Sequence, residues 1–198
     1  MQIGLLLTYP VLVHVGVIFE QPKLQILAII TLALGIFFNQ LKSYKLSAWL
    51  IFLFISLVSI GLGEFEKSRY LLFLPPAAAP LLIGWGFLRT LRAGEVPLVT
   101  DIGERARGPL SEAMRCYTRI VTQLWSACLL LMASWGILLP IFGTMEVWSF
   151  FTNIINQLLV ACLFIGEFYY RKCKFQDHDH PRFLEYLRIV FRAQNNRD

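Results

Sequence analysis

Hydrophobic residues along the chain fall into six long runs separated by polar segments. Backbone polar groups have no water to bond inside a bilayer, so a spanning segment forms a helix of about 17–25 mostly apolar residues. The pattern therefore predicts an all-α fold, a polytopic membrane helix bundle with about six transmembrane helices in a single domain. The predicted spans are residues 3–19, 24–41, 46–63, 70–88, 120–142 and 147–170.

The composition supports an integral membrane protein. Of the 198 residues, 57% are hydrophobic and 16% are charged, and the mean hydropathy is +0.60. So few charges would not cover the surface of a water-soluble domain of this size. The formal net charge of +5 agrees with the basic loops of membrane proteins, so it does not indicate nucleic acid as a partner.

The distribution of lysine and arginine predicts the orientation of the helices, because cytoplasmic loops carry an excess of both. With six spans, fifteen of the 18 basic residues lie in the loop 42–45, the segment 89–119 and the tail 171–198. All three regions are on the side of the N-terminus. We therefore expect a multi-pass protein with both termini in the cytoplasm (N-in/C-in), and a recognition surface that is cytoplasmic or within the membrane.

The interior segment 89–119 is polar and contains six arginines but no lysine. We predict that it forms an Arg-rich cytoplasmic loop between the fourth and fifth transmembrane helices. A planar guanidinium group binds phosphate or carboxylate through two parallel hydrogen bonds, which a lysine ammonium does not do. The arginines are therefore candidate binding residues for a lipid headgroup or an acidic partner: Arg89, Arg92, Arg105, Arg107, Arg115 and Arg119.

Two patterns predict helical structure inside this segment. Asp101 and Glu104 have the spacing of a capping box, in which an acceptor precedes a carboxylate by three residues. After Pro109, an apolar stripe at helical spacing predicts a helix that runs directly into the fifth span: Leu110, Met114, Tyr117 and Val121. Such a helix either holds its arginines at the depth of phosphate headgroups or is an ordinary positively charged anchor at the interface.

Two ionisable residues within the predicted spans, Glu167 and His14, are candidate catalytic groups because charge inside a membrane is costly. Arg171 lies four residues after Glu167, so an intrahelical ion pair is the simpler interpretation. His14 stands alone among apolar residues, which favours a hydrogen-bonded packing residue over a ligand. Asn153, in the sixth span, is expected to join helices by hydrogen bonds.

Other features predict no metal site and no cofactor. The four cysteines show no CxxC spacing, and the four potential ligands of Asp177–His180 cannot all face one ion without an unusual turn. We interpret that stretch as a polar hinge before an amphipathic C-terminal helix. In the fourth span, Pro75, Pro76 and Pro80 predict a kink that serves packing or opens a lateral groove for an acyl or polyene chain.

Several stretches in the second half of the chain carry a resemblance to a known family. They are Gly86–Thr100, Glu104–Leu110, Tyr117–Trp125, Phe151–Asn153 and Glu167–Lys172 followed by Phe175. Together they resemble the small inner-membrane proteins found in bacterial aryl-polyene (xanthomonadin-like) pigment biosynthesis gene clusters. The resemblance covers roughly residues 70–190, and the first three spans match only in hydropathy. The acidic Asp101 and Glu104 and the three prolines of the fourth span depart from the family pattern.

The resemblance implies a biosynthetic pathway and a cellular location, but no defined enzymatic step for the membrane protein itself. Such clusters make a polyene by fatty-acid-like chemistry on an acyl carrier protein, attach it to a lipid and move it to the outer membrane. It implies location in the bacterial inner membrane, with membrane lipids and an acyl carrier protein or pathway enzymes as partners. The matched positions are Arg89, Thr100, Arg105, Arg107, Tyr117, Arg119, Asn153, Glu167 and Arg171.

Three functional hypotheses follow. The preferred one is a non-catalytic accessory or scaffold protein that binds a lipid headgroup or an acidic partner through its arginines. The second is a membrane enzyme that transfers an acyl or polyenyl group to a lipid acceptor, with Arg105, Arg107 and Arg119 on phosphate and Glu167 or His14 as base. The third is a subunit of a lipid or polyene transporter. The oligomeric state is not predicted.

Overall fold

A computed structural model describes residues 2–64 and 68–174, and in these two ranges it contains helices and no strand. The tail with Asp177–His180 and the predicted amphipathic C-terminal helix lies outside the described residues, as does the side chain of Arg107. The helices are α1 (Gln2–Ile18), α2 (Pro22–Lys42), α3 (Leu46–Glu64), α4 (Ser68–Arg89), α5 (Leu98–Arg107), α6 (Glu112–Phe142), α7 (Met145–Phe150) and α8 (Asn156–Lys174), with a π-helical turn, Phe151–Ile155, between α7 and α8.

A helix occupies the position of each of the six predicted spans. Four helical stretches in the described part of the chain are long and apolar enough to cross a membrane: Pro22–Lys42, Leu72–Arg89, Glu112–Phe142 and Met145–Lys174. The apolar parts of α1 and α3, Gly4–Ile18 and Leu46–Leu62, are shorter. For the described residues, the prediction of an all-α fold with helices long and apolar enough to span a membrane is thus confirmed, whereas the count of six and the orientation stay predictions.

The segment between the fourth and fifth spans is more helical than a loop. The helix predicted after Pro109 does run into the span, because α6 is continuous from Glu112 to Phe142. The Met114 N–H donates to the Ser111 hydroxyl at 3.3 Å, as expected at a helix start. The capping box predicted at Asp101 is wrong: α5 already begins at Leu98, so Asp101 lies inside the helix.

The chain divides into two compact units, each with its own core. The first contains residues 1–79 and 132–157. In it, α1 presents Tyr9, Val13 and Val17 at intervals of four residues, which places them on one helix face. This face packs into a buried cluster with side chains from α2, α4 and α7: Ala28, Ile29, Leu72 and Trp148.

A close backbone contact between α4 and α6 also belongs to the first unit. Pro80 has no N–H, so the Pro76 carbonyl, four residues earlier, cannot form its usual helical hydrogen bond. Gly136 of α6 lies against this carbonyl, since a Cβ added at Gly136 would meet the Pro76 oxygen at 3.0 Å. The absence of a side chain therefore permits the helices to approach, as small residues do between membrane helices.

The second unit contains residues 80–131 and 158–198, of which 175–198 are not described. Its core confirms the apolar stripe predicted on α6, because Met114, Tyr117 and Val121 are buried together and pack against Val99 and Leu110. Two hydrogen bonds dock α5 onto α6. The hydroxyls of Thr100 and Thr118 lie 2.6 Å apart, and the Val99 N–H donates to Thr122 at 3.3 Å.

We predict that Gly136→Ala destabilises the protein by about 1–3 kcal/mol, because the new methyl group forces the helices apart. Gly61→Ala is the matched control, since nothing lies within 4 Å of a Cβ added there. It should be neutral or gain up to about 1 kcal/mol from helix propensity. Thermal unfolding in detergent, followed by circular dichroism, measures both. Equal melting temperatures for the two variants would contradict the close contact.

Candidate functional site

Glu167 of α8 lies in a partly buried polar cluster of the second unit. The Tyr117 hydroxyl, on α6, donates to its carboxylate oxygen Oε1 at 3.2 Å, and the Arg171 Nε lies 3.3 Å from the same oxygen. The side chains of Arg171 and Glu167 are only 14% and 9% exposed. The predicted intrahelical pair is therefore present, and Tyr117 extends it across two helices.

Aromatic rings and a lysine surround this cluster. The Tyr117 ring stacks on that of Tyr170, with centroids 5.7 Å apart and planes 18° apart. The Lys174 Nζ lies 6.0 Å from the Tyr117 centroid and 5.5 Å from the Tyr170 centroid, within the range of a cation–π interaction. It also lies 3.4 Å from the Tyr170 hydroxyl.

An apolar groove of about 310 Å³ runs from this cluster between α6 and α8. Ile120, Val121, Leu124 and Trp125 form the α6 wall, and the α8 wall includes Cys162, Leu163 and Gly166. Tyr117, Glu167, Tyr170 and Lys174 line its polar end. The groove thus combines a long apolar surface with a small group of polar side chains, as ligand pockets do.

The arginines of the segment 89–119 differ in the partners they have. Arg105 pairs with Asp101 at 2.8 Å, and Arg115 pairs with Glu104 at 2.6 Å. Arg119 donates to the backbone carbonyl of Leu91 at 3.0 Å, beyond the end of α4. These three guanidinium groups therefore already serve contacts within the chain.

Arg89 and Arg92 have a different environment. Both line a recess of about 260 Å³ together with Trp85, Leu88 and Leu91. The Arg92 guanidinium carbon lies 5.7 Å from the centre of the Trp85 ring, and the Trp85 side chain is 52% exposed. Among the described residues, neither arginine has a carboxylate within 4.0 Å. This recess therefore joins two arginines without acidic partners to an exposed aromatic ring.

The first unit contains a second polar cluster, which includes two of the candidate residues. His14 Nδ1 lies 3.0 Å from the Ser149 hydroxyl, and Asn153 donates its Nδ2 to the Ser149 carbonyl at 3.0 Å. Asn153 is part of the π-helical turn, a feature that often occurs at functional sites. Ser149 is fully buried, so its hydroxyl is closed to a substrate and serves to join α1 to α7.

The candidate residues thus belong to separate groups. Tyr117, Glu167 and Arg171 come together in the second unit, and His14 and Asn153 meet through Ser149 in the first. Thr100 is 2% exposed and bonded to Thr118, which gives it a role in packing α5 onto α6. No group of three or more His, Cys, Asp or Glu side chains in the described ranges is arranged to hold a metal ion.

Sequence reasoning missed Trp85, Lys174 and Ser149. Trp85 lies four residues before Arg89, and Lys174 lies four residues after Tyr170, so helical spacing contained a signal for both. Ser149 had no such signal, because its partner His14 is 135 residues away in the sequence.

The apolar composition and the four described helices that are long and apolar enough to span a membrane indicate the class of α-helical membrane proteins. Comparisons with known proteins do not narrow the class. No family model, no curated protein and no solved structure matches the chain. The resemblance to the aryl-polyene cluster proteins accordingly stays a prediction from the sequence.

We predict that Glu167→Gln lowers the free energy of unfolding by about 3 kcal/mol, because it removes the carboxylate charge that lies 3.3 Å from the largely buried Arg171. Glu104→Gln is the matched control, since its partner Arg115 is 55% exposed and water replaces the lost contact. The control should cost about 0.5 kcal/mol. Thermal unfolding in detergent measures both. Equal small losses would show that Glu167 is not a structural anchor and would favour a catalytic role.

We also predict that Ser149→Ala lowers stability by about 1 kcal/mol, because His14 and Asn153 lose a shared partner. Ser56→Ala is the control, since the Ser56 hydroxyl donates to the Phe52 carbonyl of the same helix at 2.8 Å. The same thermal measurement in detergent should show the larger decrease for Ser149→Ala. The reverse order would contradict an interhelical role for this serine.

Proposed function

We propose that the chain is a non-catalytic accessory protein of the bacterial inner membrane that binds anionic lipid headgroups through Arg89 and Arg92. The single observation that carries the proposal is the recess in which these arginines lie beside the exposed Trp85 without a described acidic partner. The pathway that it serves is proposed from the sequence resemblance: a lipid-linked or polyene pathway with fatty-acid-like chemistry.

The chemistry of the recess supports a lipid phosphate as the ligand. Two guanidinium groups offer paired N–H donors that match the oxygens of a phosphate. Tryptophan is enriched where the bilayer meets water, because its ring is apolar and its N–H is polar. Leu88 and Leu91 give the recess an apolar floor that suits the upper part of an acyl chain.

The other arginines support this choice by contrast. A phosphate at Arg105 or Arg115 would compete with Asp101 or Glu104, which already neutralise them. A headgroup at Arg119 would have to displace the Leu91 carbonyl. Binding at Arg89 and Arg92 breaks no described ion pair. The original prediction of a broad arginine surface is therefore narrowed in this proposal to two side chains.

The proposal includes the predicted N-in/C-in, multi-pass arrangement. It places the end of α4 on the cytoplasmic side, where anionic lipids give the membrane surface a negative potential. Each arginine near such a surface contributes about 1 kcal/mol to binding. The pair would contribute about 2 kcal/mol, which is roughly thirtyfold in affinity.

The alternatives have less support. An acidic protein such as an acyl carrier protein could contact the same arginines, but the apolar side chains of Trp85 and Leu88 would then face a polar protein surface instead of lipid. An acyl- or polyenyl-transfer enzyme with Glu167 as base would first have to break its contacts with Tyr117 and Arg171. No described contact favours a transporter subunit over an accessory protein.

We predict that Arg89→Ala/Arg92→Ala reduces the binding of an anionic phospholipid about thirtyfold, because both guanidinium groups are lost. The measurement is native mass spectrometry of the full chain titrated with phosphatidylglycerol in detergent, with phosphatidylcholine as the zwitterionic reference. Arg105→Ala/Arg115→Ala is the matched control, which removes the same charge from paired arginines. It should change binding less than threefold.

Three results would contradict the proposal. An equal loss in both double variants would show that total charge, and not the recess, determines binding. Equal binding of the two phospholipids by the unaltered chain would show that no anionic headgroup is recognised. If Arg89→Ala/Arg92→Ala lost an acidic protein partner while lipid binding stayed unchanged, the result would favour a scaffold that binds an acidic protein and not a lipid headgroup.

A further inference from the structure

The groove between α6 and α8 is not used by the proposed function, although it is the larger of the two recesses described above. All of its lining residues belong to the second unit. It is separate in sequence from Trp85, Arg89 and Arg92, which line the other recess. Its own shape and charge therefore determine what it can hold.

The length and volume of the groove suit a single hydrocarbon chain. Along α8 it extends from Cys162 to Lys174, and twelve residues of α-helix rise about 18 Å. That length is close to one leaflet of a bilayer, about 15 Å of hydrocarbon. A volume of about 310 Å³ is at the lower limit of small-molecule pockets, roughly 300–1,000 Å³, which leaves room for one chain and not for two.

The two ends of the groove differ in polarity. At one end, Trp125 contacts Phe164 edge to face, with centroids 4.8 Å apart, among aliphatic side chains. At the other end lie the Tyr117 hydroxyl, the Glu167 carboxylate and the Lys174 ammonium. This gradient from apolar to polar along one axis is that of an amphiphile.

Charge indicates the sign of the headgroup. The last turn of α8 contains three cations, Arg171, Lys172 and Lys174, and the carboxylate among the described lining residues of the groove, Glu167, pairs with Arg171. A cationic headgroup would meet Lys174, which already occupies the cation position over the Tyr117 and Tyr170 rings. An anionic headgroup would instead be attracted to this end.

We propose that the groove binds a single-chain anionic amphiphile, a long-chain fatty carboxylate. Its chain lies along Leu124 and Trp125, and its carboxylate accepts a hydrogen bond from the Lys174 ammonium at the polar end of the groove. The proposal does not depend on the headgroup recess, because it involves different residues and a ligand with one chain instead of two.

Gly166 provides a direct test of the chain site. Gly166 lines the groove, and a Cβ added there meets nothing within 4 Å, so Gly166→Leu places a larger side chain at the wall of the groove. Gly86→Leu is the matched control: Gly86 is also helical, belongs to the same unit, has open space and does not line the groove. Both changes favour helix, so both variants should fold.

The probe is a diazirine-labelled C16 fatty carboxylate, photo-crosslinked to the full chain in detergent and located by mass spectrometry of the peptides. We expect cross-links on α6 and α8 residues that line the groove, with a yield reduced at least tenfold by Gly166→Leu and unchanged by Gly86→Leu. Equal yields in the two variants, or cross-links confined to other helices, would overturn the proposal.

A second comparison tests the charge of the headgroup. Lys174→Gln should weaken binding of the fatty carboxylate about fivefold and leave binding of the C16 alcohol unchanged. Lys172→Gln is the matched control, since Lys172 is exposed on the same turn and does not line the groove. An equal effect of Lys174→Gln on acid and alcohol would overturn the anionic headgroup. Complete displacement of the probe by an equimolar two-chain phospholipid would overturn the single-chain ligand.

Discussion

The second unit depends on one constraint: charged side chains next to apolar helices need an ion-pair or hydrogen-bond partner. An arginine or glutamate at the edge of a hydrocarbon layer is costly unless a partner is at hand. Glu167 meets this requirement with Arg171 and Tyr117, and through Tyr117 it ties α8 to α6. On α5 and α6, Asp101 and Glu104 neutralise Arg105 and Arg115. Arg119 donates to the Leu91 carbonyl, and Arg89 and Arg92 lie beside the exposed ring of Trp85.

Hydrophobic pattern was enough to predict the fold class and the positions of the helices. The thickness of the bilayer sets the length and apolar composition of a spanning helix, so both can be recognised in the sequence. The helix from Glu112 through the fifth span and the buried stripe on α6 were also predictable, because they follow from local periodicity. The start of α5 was not predictable, because α5 begins at Leu98 and not after Asp101, and its first turn is held by hydrogen bonds of Val99 and Thr100 to α6.

The site could be predicted only in part. Spacing of four residues identified the Glu167–Arg171 pair, but no local pattern shows that Tyr117, fifty residues earlier, completes it. The same holds for His14 and Ser149. The six arginines looked equivalent in sequence, and only their partners in space separate the neutralised ones from Arg89 and Arg92. Asp101 and Glu104, which depart from the family pattern, are the residues that pair with Arg105 and Arg115 and so distinguish them from Arg89 and Arg92.

The central claim is that anionic lipid is bound by Arg89 and Arg92 and not by the arginine segment as a whole. The most direct measurement is the rate at which phenylglyoxal modifies each arginine, determined by mass spectrometry with the protein in phosphatidylglycerol and in phosphatidylcholine nanodiscs. We expect phosphatidylglycerol to slow the modification of Arg89 and Arg92 and to leave the rates for Arg105 and Arg115 unchanged. Equal protection of all four arginines, or protection of Arg105 and Arg115 alone, would contradict the central claim.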